Sequence, residues 1–224
     1  MAARRATSRL SQMAAAPTVG AEAALIRVLR YLKTNQGWAL RYERKQMEQD
    51  SWQFYSDSDH GGDRPHTTKS QSGMMFLLNG APIFWMSRKQ SMMTAFSSAL
   101  AEIFALSESV RAAQLLVWRA EELGARVTWP LCIQVDNNQS ITFQRATCLM
   151  SRLRGCIDMR WGWVKELRDM DKIMTKKVES DMNLADVLTK CMPPCKFVRM
   201  MRRIRGDQES KNISAFMAWL RSTN

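Results

Sequence analysis

Hydrophobic positions along this chain switch between two periods, and the switching predicts the elements. Residues 51–57 alternate toward a strand that ends in Tyr55-Ser56-Asp57. The β-rich runs SGMMFLL and APIFWMS flank Asn79-Gly80, which predicts a hairpin over 72–87. From 97 to 123 the period lengthens. Ile103, Leu106, Val110, Ala113 and Val117 form one apolar stripe, with Ser97 or Ser98 as the cap and Gly124 as the stop. Residues 131–136, LCIQVD, read as a short buried strand ending in Asp136. Beyond it come a helical segment from Gln139, a helix over 156–170, a strand over 172–179, a short helix over 183–191 and a basic helix over 195–205. Upstream, Ala24, Leu25, Val28, Leu29 and Leu32 give residues 20–33 a helical stripe. Residues 37–42 suggest a short strand, 43–50 a polar linker, and 59–65 a Gly/Asp/Pro-rich loop. No internal repeat is present.

From residue 51 the order is β-β-β-α-β-α-α-β-α. A hairpin followed by a βαβ crossover predicts an α/β fold: a mixed five-stranded sheet, three antiparallel strands and then a parallel extension, with flanking helices. The strands ending at Asp57 and Asp136 are expected side by side and parallel.

Composition adds a charge pattern. Of 224 residues, 46% are hydrophobic, enough for a core, and the net charge is +12. Residues 1–45 hold nine Lys/Arg against two Asp/Glu, and 152–205 hold fourteen against seven. The stretch between holds eight against ten, so basic ends flank an acidic-leaning middle. A polyanion gripped over a carboxylate-rich centre fits this pattern, and so does plain solvated charge. Five cysteines at irregular spacing, with no signal peptide before them, argue for a reducing compartment, cytoplasmic or nuclear and not secreted. No apolar run approaches the roughly 18 residues of a membrane span. The start, MAARRATSRLSQMAAAP, has a transit-peptide composition. Most of the 17 methionines read as core filling.

The carboxylates carry the chemistry. Adjacent strands lie about 4.8 Å apart, so Asp57 and Asp136 would share one strand-end crevice. Glu102 lies about one turn into the long helix, and Asp186 in the first turn of a late helix. Four converging carboxylates repel unless cations sit between them. Hard oxygen ligands suit Mg²⁺ or Mn²⁺, and two such ions about 4 Å apart promote phosphodiester hydrolysis. Each residue also has a plainer role. Asp57 and Asp136 could start turns, Glu102 could be a solvated helix residue, and Asn183-Leu-Ala-Asp186 has the form of a capping box.

The surrounding words then bear on the choice. RVLRYLK (27–33), YSDSDHGGD (55–63), SQSGMMFLLNGAPIFWMSRKQ (70–90), SSALAEIFALSES (97–109), VDNNQSI (135–141), CIDMRWGWVKEL (156–167) and NLADVLTKCMPPCKF (183–197) resemble, in order, the ribonuclease H region of Ty1/copia-type retrotransposon Pol polyproteins. The resemblance runs from about residue 5 to 200 and implies a ribonuclease H-like fold. It places the family's acidic set, catalytic and metal-binding, on Asp57, Glu102, Asp136 and Asp186. It implies two divalent ions, an RNA–DNA hybrid as partner, cleavage of the RNA strand, and a reverse transcriptase domain alongside in a full polyprotein. It also reads 1–46 as the end of a reverse transcriptase thumb, in preference to a transit peptide, with 51–192 as the ribonuclease H-like domain and 193–224 as a basic helix and tail. No polymerase Tyr-x-Asp-Asp motif, integrase or capsid is visible, so the chain is expected to be a fragment.

Three positions depart from the family pattern. Leu100 stands where a first glutamate is usual and His60 where a tryptophan is common; in Asp136-Asn137-Asn138-Gln139-Ser140-Ile141 either Gln139 replaces the usual serine or an extra asparagine shifts the following helix. The rival expectation is a catalytically inactive, nucleic-acid-binding remnant. His60 and His66, the two histidines, read as surface-loop residues. Trp161 and Trp163 are two apart, so they point to opposite sides of their helix and cannot both stack on one ligand.

Overall fold

In this computed structural model the described residues are 3–40, 42, 50–61, 69–91, 98–138, 141–142 and 154–206. Strands β1 (Trp52–Asp59), β2 (Gln71–Leu78), β3 (Ala81–Lys89), β4 (Leu131–Val135) and β5 (Ile173–Lys177) make one sheet in the order β3-β2-β1-β4-β5. The pairs β1–β2 and β2–β3 are antiparallel, while β1–β4 and β4–β5 are parallel. This is the mixed sheet that the element order predicts. The β2–β3 turn forms at Asn79-Gly80 with φ of 53° and 83°, a left-handed pair that asparagine and glycine tolerate best.

Both faces of the sheet are covered, which is why β2 reads as an unbroken apolar run rather than an alternation. On one face Phe54, Met74 and Phe76 pack with Leu106, Val110, Ala113 and Val117 of α3 (Ser98–Glu122) and Val164 of α4 (Arg154–Asp169). On the other, Tyr55, Met75 and Leu77 pack with Val187 and Leu188 of α5 (Asp186–Thr189) and Met200, Met201 and Ile204 of α6 (Pro194–Arg205). Met74, Met75, Met200 and Met201 fill the core as expected, whereas Met159, Met170, Met174 and Met182 are exposed. Gly206, at φ 73°, ends α6 in the left-handed conformation that glycine favours.

The N-terminal part holds α1 (Arg4–Ser11), which the hydrophobic pattern missed, and α2 (Val19–Thr34), which it found. Thr18 caps α2 by accepting from Ala21 N at 3.1 Å. Of the apolar stripe read for α2, Leu25, Leu29 and Leu32 are about half exposed among the described residues. The helix forms without burying that face. Arg5 of α1 pairs with Asp59 at 2.9 Å, and Lys89 of β3 donates to Gln12 at 2.7 Å.

Two expectations fail. Residues 37–40 and 42 are not strand. Trp38 instead meets Tyr31 edge-on, and the Arg205 guanidinium lies 3.9 Å over its ring, so side-chain packing anchors the segment rather than sheet pairing. The late helix spans four residues, not nine, and its residue before the first turn, Ala185, offers no side-chain cap. Asn183 does not cap it. Its side chain accepts from Ala185 N at 3.2 Å and donates to Ser56 O at 3.1 Å, an Asx turn tied to β1. Most of the linker read at 43–50, most of the loop read at 59–65, His66, and most of the helical segment after Gln139 lie outside the described residues; Ile141 and Thr142 are helical. Among the described residues no helix is long and apolar enough to cross a membrane.

One strand glycine decides how closely α5 approaches. Gly73 is paired with Asp57, and a Cβ there would stand 2.5 Å from Thr189 Cγ2 and 3.0 Å from Ala185 O. Gly73→Ala is therefore expected to push α5 off β2 and destabilise the protein by about 1–3 kcal/mol. Gly37→Ala, which meets nothing within 4 Å, serves as the control in the same urea melts. Equal midpoints for the two variants would contradict the close seating of α5.

Candidate functional site

The site grows from the parallel pairing of β1 and β4. Phe54 is in register with Ile133 and Tyr55 with Gln134. Carried to the strand ends, this register sets Asp57 and Asp136 at the same level. α3 runs over β1 and brings Glu102 to them. One carboxylate oxygen from each of Asp57, Glu102 and Asp136 lies within 4.8 Å of the other two. Asp57 and Glu102 are buried, while Asp136, with Ser98, Asn137, Asn138 and Lys190, lines an open cleft that Glu102 also reaches. The first three of the four acids expected from the sequence thus meet in one place.

Asp186 is placed differently. It is buried, and both of its oxygens are taken by lysines: Oδ1 accepts from Lys190 Nζ at 2.9 Å and Oδ2 from Lys196 Nζ at 3.2 Å. Lys190 links it to the others, donating to Asp57 Oδ1 at 3.0 Å and standing 3.8 Å from Asp136. The Thr189 hydroxyl donates to the remaining oxygen of Asp57. The sequence reading singles out neither Lys190 nor Thr189. Lys190 is nonetheless legible there as the i+4 partner of Asp186 on one helix face.

A buried polar layer holds these elements at fixed distances. Gln90 Nε2 donates to Ser72 Oγ at 3.0 Å and to Ala101 O at 2.9 Å, which ties the start of α3, and so Glu102, to β2. Ser87 donates to Leu188 O, and Ser56 and Ser109 share a hydroxyl bond at 2.9 Å. These buried donors are tolerable because they are paired, although Gln90 Oε1 has no hydrogen-bond partner among the described residues.

Charge in this setting is costly. Burial pushes the Asp57 carboxyl from its ordinary 3.8 up to about 7, with Asp186 and Asp136 adding to the rise and Lys190 opposing it. Burial likewise pushes Glu102 from 4.5 up to about 8, reinforced by Asp57 and Asp136. For Lys190, burial alone would lower the pKa, but Asp57 and Asp186 outweigh it and hold the ammonium charged.

The remaining candidates fall elsewhere. Leu100 lies in a small apolar cluster with Ala101 and Ile103, against which Trp161 packs, while Trp163 packs on the main core. The two tryptophans do face different ways. Arg160 stacks 3.6 Å over Phe104. His60 sits in the turn after β1. Cys132, Cys191 and Cys195 are free thiols.

The chain is similar to retrotransposon polyproteins. It is 30% identical over 143 residues to the retrovirus-related Pol polyprotein of transposon TNT 1-94 of Nicotiana tabacum, covering 64% of this chain and 10% of that one. It is 30% identical over 201 residues to the Pol polyprotein of transposon RE1 of Arabidopsis thaliana, covering 89% of this chain and 13% of that one. The chain therefore spans only about a tenth of the length of these relatives. A shorter relative, secreted RxLR effector protein 161 of Plasmopara viticola, is 40% identical over 110 residues, covering 49% of this chain and 75% of its own. No family model matches. Among solved structures, LC11-RNase H1, isolated from compost, superposes with a TM-score of 0.46 at 13% identity, covering 64% of this chain and 94% of its own.

The raised carboxyl pKa values have a signed consequence. Between about pH 4 and 8 the folded, metal-free protein holds protons on Asp57 and Glu102 that the unfolded chain has lost. Stability is therefore greatest at the acidic end of this window and falls as pH rises through about 7 and 8. Thermal melts in chelator across that window are expected to show a declining Tm, flattened in Asp57→Asn. A Tm that holds level or climbs over the same range would contradict the burial of these charges.

Proposed function

Because the chain belongs to the Ty1/copia-type retrotransposon Pol family and has the ribonuclease H-like fold, we propose that it is a ribonuclease H-type endonuclease. Its substrate would be the RNA strand of an RNA–DNA hybrid. The observation that carries this reading is the convergence of Asp57, Glu102 and Asp136 at the ends of two parallel strands, beside an open cleft. The donor set fits a divalent ion: hard carboxylate oxygens, no sulfur or imidazole among them, and an ammonium already drawn to the same charges. Asp57, Glu102 and Asp136 would hold Mg²⁺ or Mn²⁺, with Asp186 completing the set. Two ions there would supply the Lewis acidity that phosphodiester hydrolysis needs at attacking and leaving oxygens.

The protein's own part is positioning. Gln90 holds Glu102 in reach, Asn183 and Ser87 hold the Asp186 turn against β1 and β3, and Thr189 orients Asp57. Hybrid recognition would rest on groove shape and the 2′-hydroxyl, with phosphates gripped by the basic flanks. In a full polyprotein, residues 1–46 would be the end of the reverse transcriptase thumb, 51–192 the nuclease domain and 193–224 its basic extension. The rival reading, an inactive nucleic-acid-binding remnant, draws support from Leu100, an apolar-packed residue where the family usually carries a glutamate.

The test is cleavage of a labelled RNA–DNA hybrid beside duplex DNA, with Mg²⁺ or Mn²⁺. The parent is expected to cut the RNA strand, Asp57→Asn to fall to background and Asp186→Asn to retain part of the activity. Asp59→Asn, whose carboxylate pairs with Arg5 rather than with the acids, should cut nearly normally. Full activity in Asp57→Asn would show the site to be misassigned, and tight hybrid binding without cleavage by the parent would favour the remnant.

Binding is a separate matter. α6 supplies Met200, Met201 and Ile204 to the core, so deleting it would unfold the protein rather than probe its charge. The triple substitution Arg199→Gln, Arg202→Gln, Arg203→Gln is expected to weaken hybrid binding. The slope of log affinity against log salt should flatten by about 0.9 for each phosphate that the arginines cease to neutralise. An unchanged slope would assign those arginines to solvation.

A further inference from the structure

Lys190 has no part in the proposed reaction, yet it stands among the acids as though it were itself a bound cation. Its ammonium contacts Asp57 on β1 at 3.0 Å and Asp186 on α5 at 2.9 Å, and stands 3.8 Å from Asp136 beyond β4. Glu102 of α3 faces the same cleft. Those first three are among the four acids that the proposed function assigns to divalent ions. Asp186 is engaged on its other oxygen by Lys196, which also pairs with Asp181 at 3.0 Å. A divalent ion bridging Asp57 and Asp186 would need oxygens that Lys190 now holds, and the two cations would repel each other at that range.

We propose that Lys190 is a tethered stand-in cation: it holds the acidic site together when no divalent ion is bound, and it must leave Asp57 and Asp186 when one binds. This rests on the metal-binding reading above. The geometry permits the exchange. Lys190 is the first residue past α5, its side chain is about one-third exposed on the open cleft, and its four-carbon stem can turn outward without moving the helix. Asp57, by contrast, is wholly buried within β1. Loading the site would then swing one lysine toward the cleft mouth, where a phosphodiester enters. The same residue that neutralises the empty site would become a free positive charge beside the substrate.

The test uses the full chain and reads metal binding directly, without substrate. Mg²⁺ is titrated calorimetrically at a pH above 8, where protons compete least for the carboxylates. Even at the dielectric of bulk water, a single and a double charge roughly 5 Å apart repel enough to change an equilibrium about tenfold. Lys190→Met is therefore expected to bind Mg²⁺ about tenfold tighter than the parent, and to melt at a lower temperature in chelator. The second measurement needs no variant: amine labelling of the parent followed by mass spectrometry, with Lys177, an exposed lysine on β5, as internal reference. Lys190 should label slowly in chelator and at an ordinary surface rate in saturating Mg²⁺. If Mg²⁺ binds Lys190→Met no more tightly, or Lys190 labelling ignores Mg²⁺, the stand-in role is overturned while the metal site survives. If Mg²⁺ binds neither protein, both readings fall together.

Discussion

Burying the carboxylate of Asp57 is the hardest demand this fold meets, and much of the surrounding structure follows from it. A charged group taken wholly out of water is unfavourable by several kcal/mol unless it is paired and hydrogen-bonded. Here Asp57 lies at the level where β1 and β4 run parallel, so Asp136 is brought beside it and Glu102 comes down from α3. Like charges are thus gathered where each makes the next less favourable. The relief comes from α5, which delivers Thr189 and Lys190 to the two oxygens of Asp57. α5 can do so only because β2 carries a glycine at the register position facing Asp57.

That chain of dependence joins stability to function. A strand glycine, a four-residue helix and a lysine do not look like one device in the sequence, yet removing any of them leaves Asp57 less well partnered. The polar layer of Gln90, Ser72, Ser87 and Asn183 serves the same end, fixing α3 and α5 to the sheet by buried hydrogen bonds rather than by apolar contact alone. Tension remains, since two of the carboxyls are still pushed toward neutral pH. Crowded, buried carboxylates of this kind are compatible with a divalent cation between them.

The sheet is legible in the sequence because its signals are local. Asn79-Gly80 marks its own turn, the stripe from Ile103 to Val117 marks its own helix, and two apolar runs ending in aspartate mark strands that open on one crevice. Asp57, Glu102 and Asp136 can be read for the same reason: each lies at or near the end of an element with a local signal, although β1 runs on past Asp57 to Asp59. What cannot be read depends on neighbours distant in sequence. Gly73 and Thr189 meet across more than a hundred residues, and nothing local announces that meeting, although an isolated glycine inside a strand is a general sign of close approach. Asn183 misleads because its capping pattern is local, whereas its bond to Ser56 is not. The 37–42 segment has strand-like residues, yet residues 37–40 and 42 form no strand. Its Trp38 is committed to Tyr31 and Arg205 instead.

Asp57 thus stands at the centre of a proposed divalent-metal site whose empty form is held by Lys190. Anomalous diffraction from crystals soaked in Mn²⁺ addresses this most directly, because it locates the ion and the lysine in one map. The expected result is an anomalous peak within coordination distance of Asp57 and at least one of Glu102 and Asp136, with the Lys190 ammonium withdrawn from Asp57. A map with no peak at these carboxylates, and with Lys190 still bonded to Asp57 and Asp186 at saturating Mn²⁺, would contradict it.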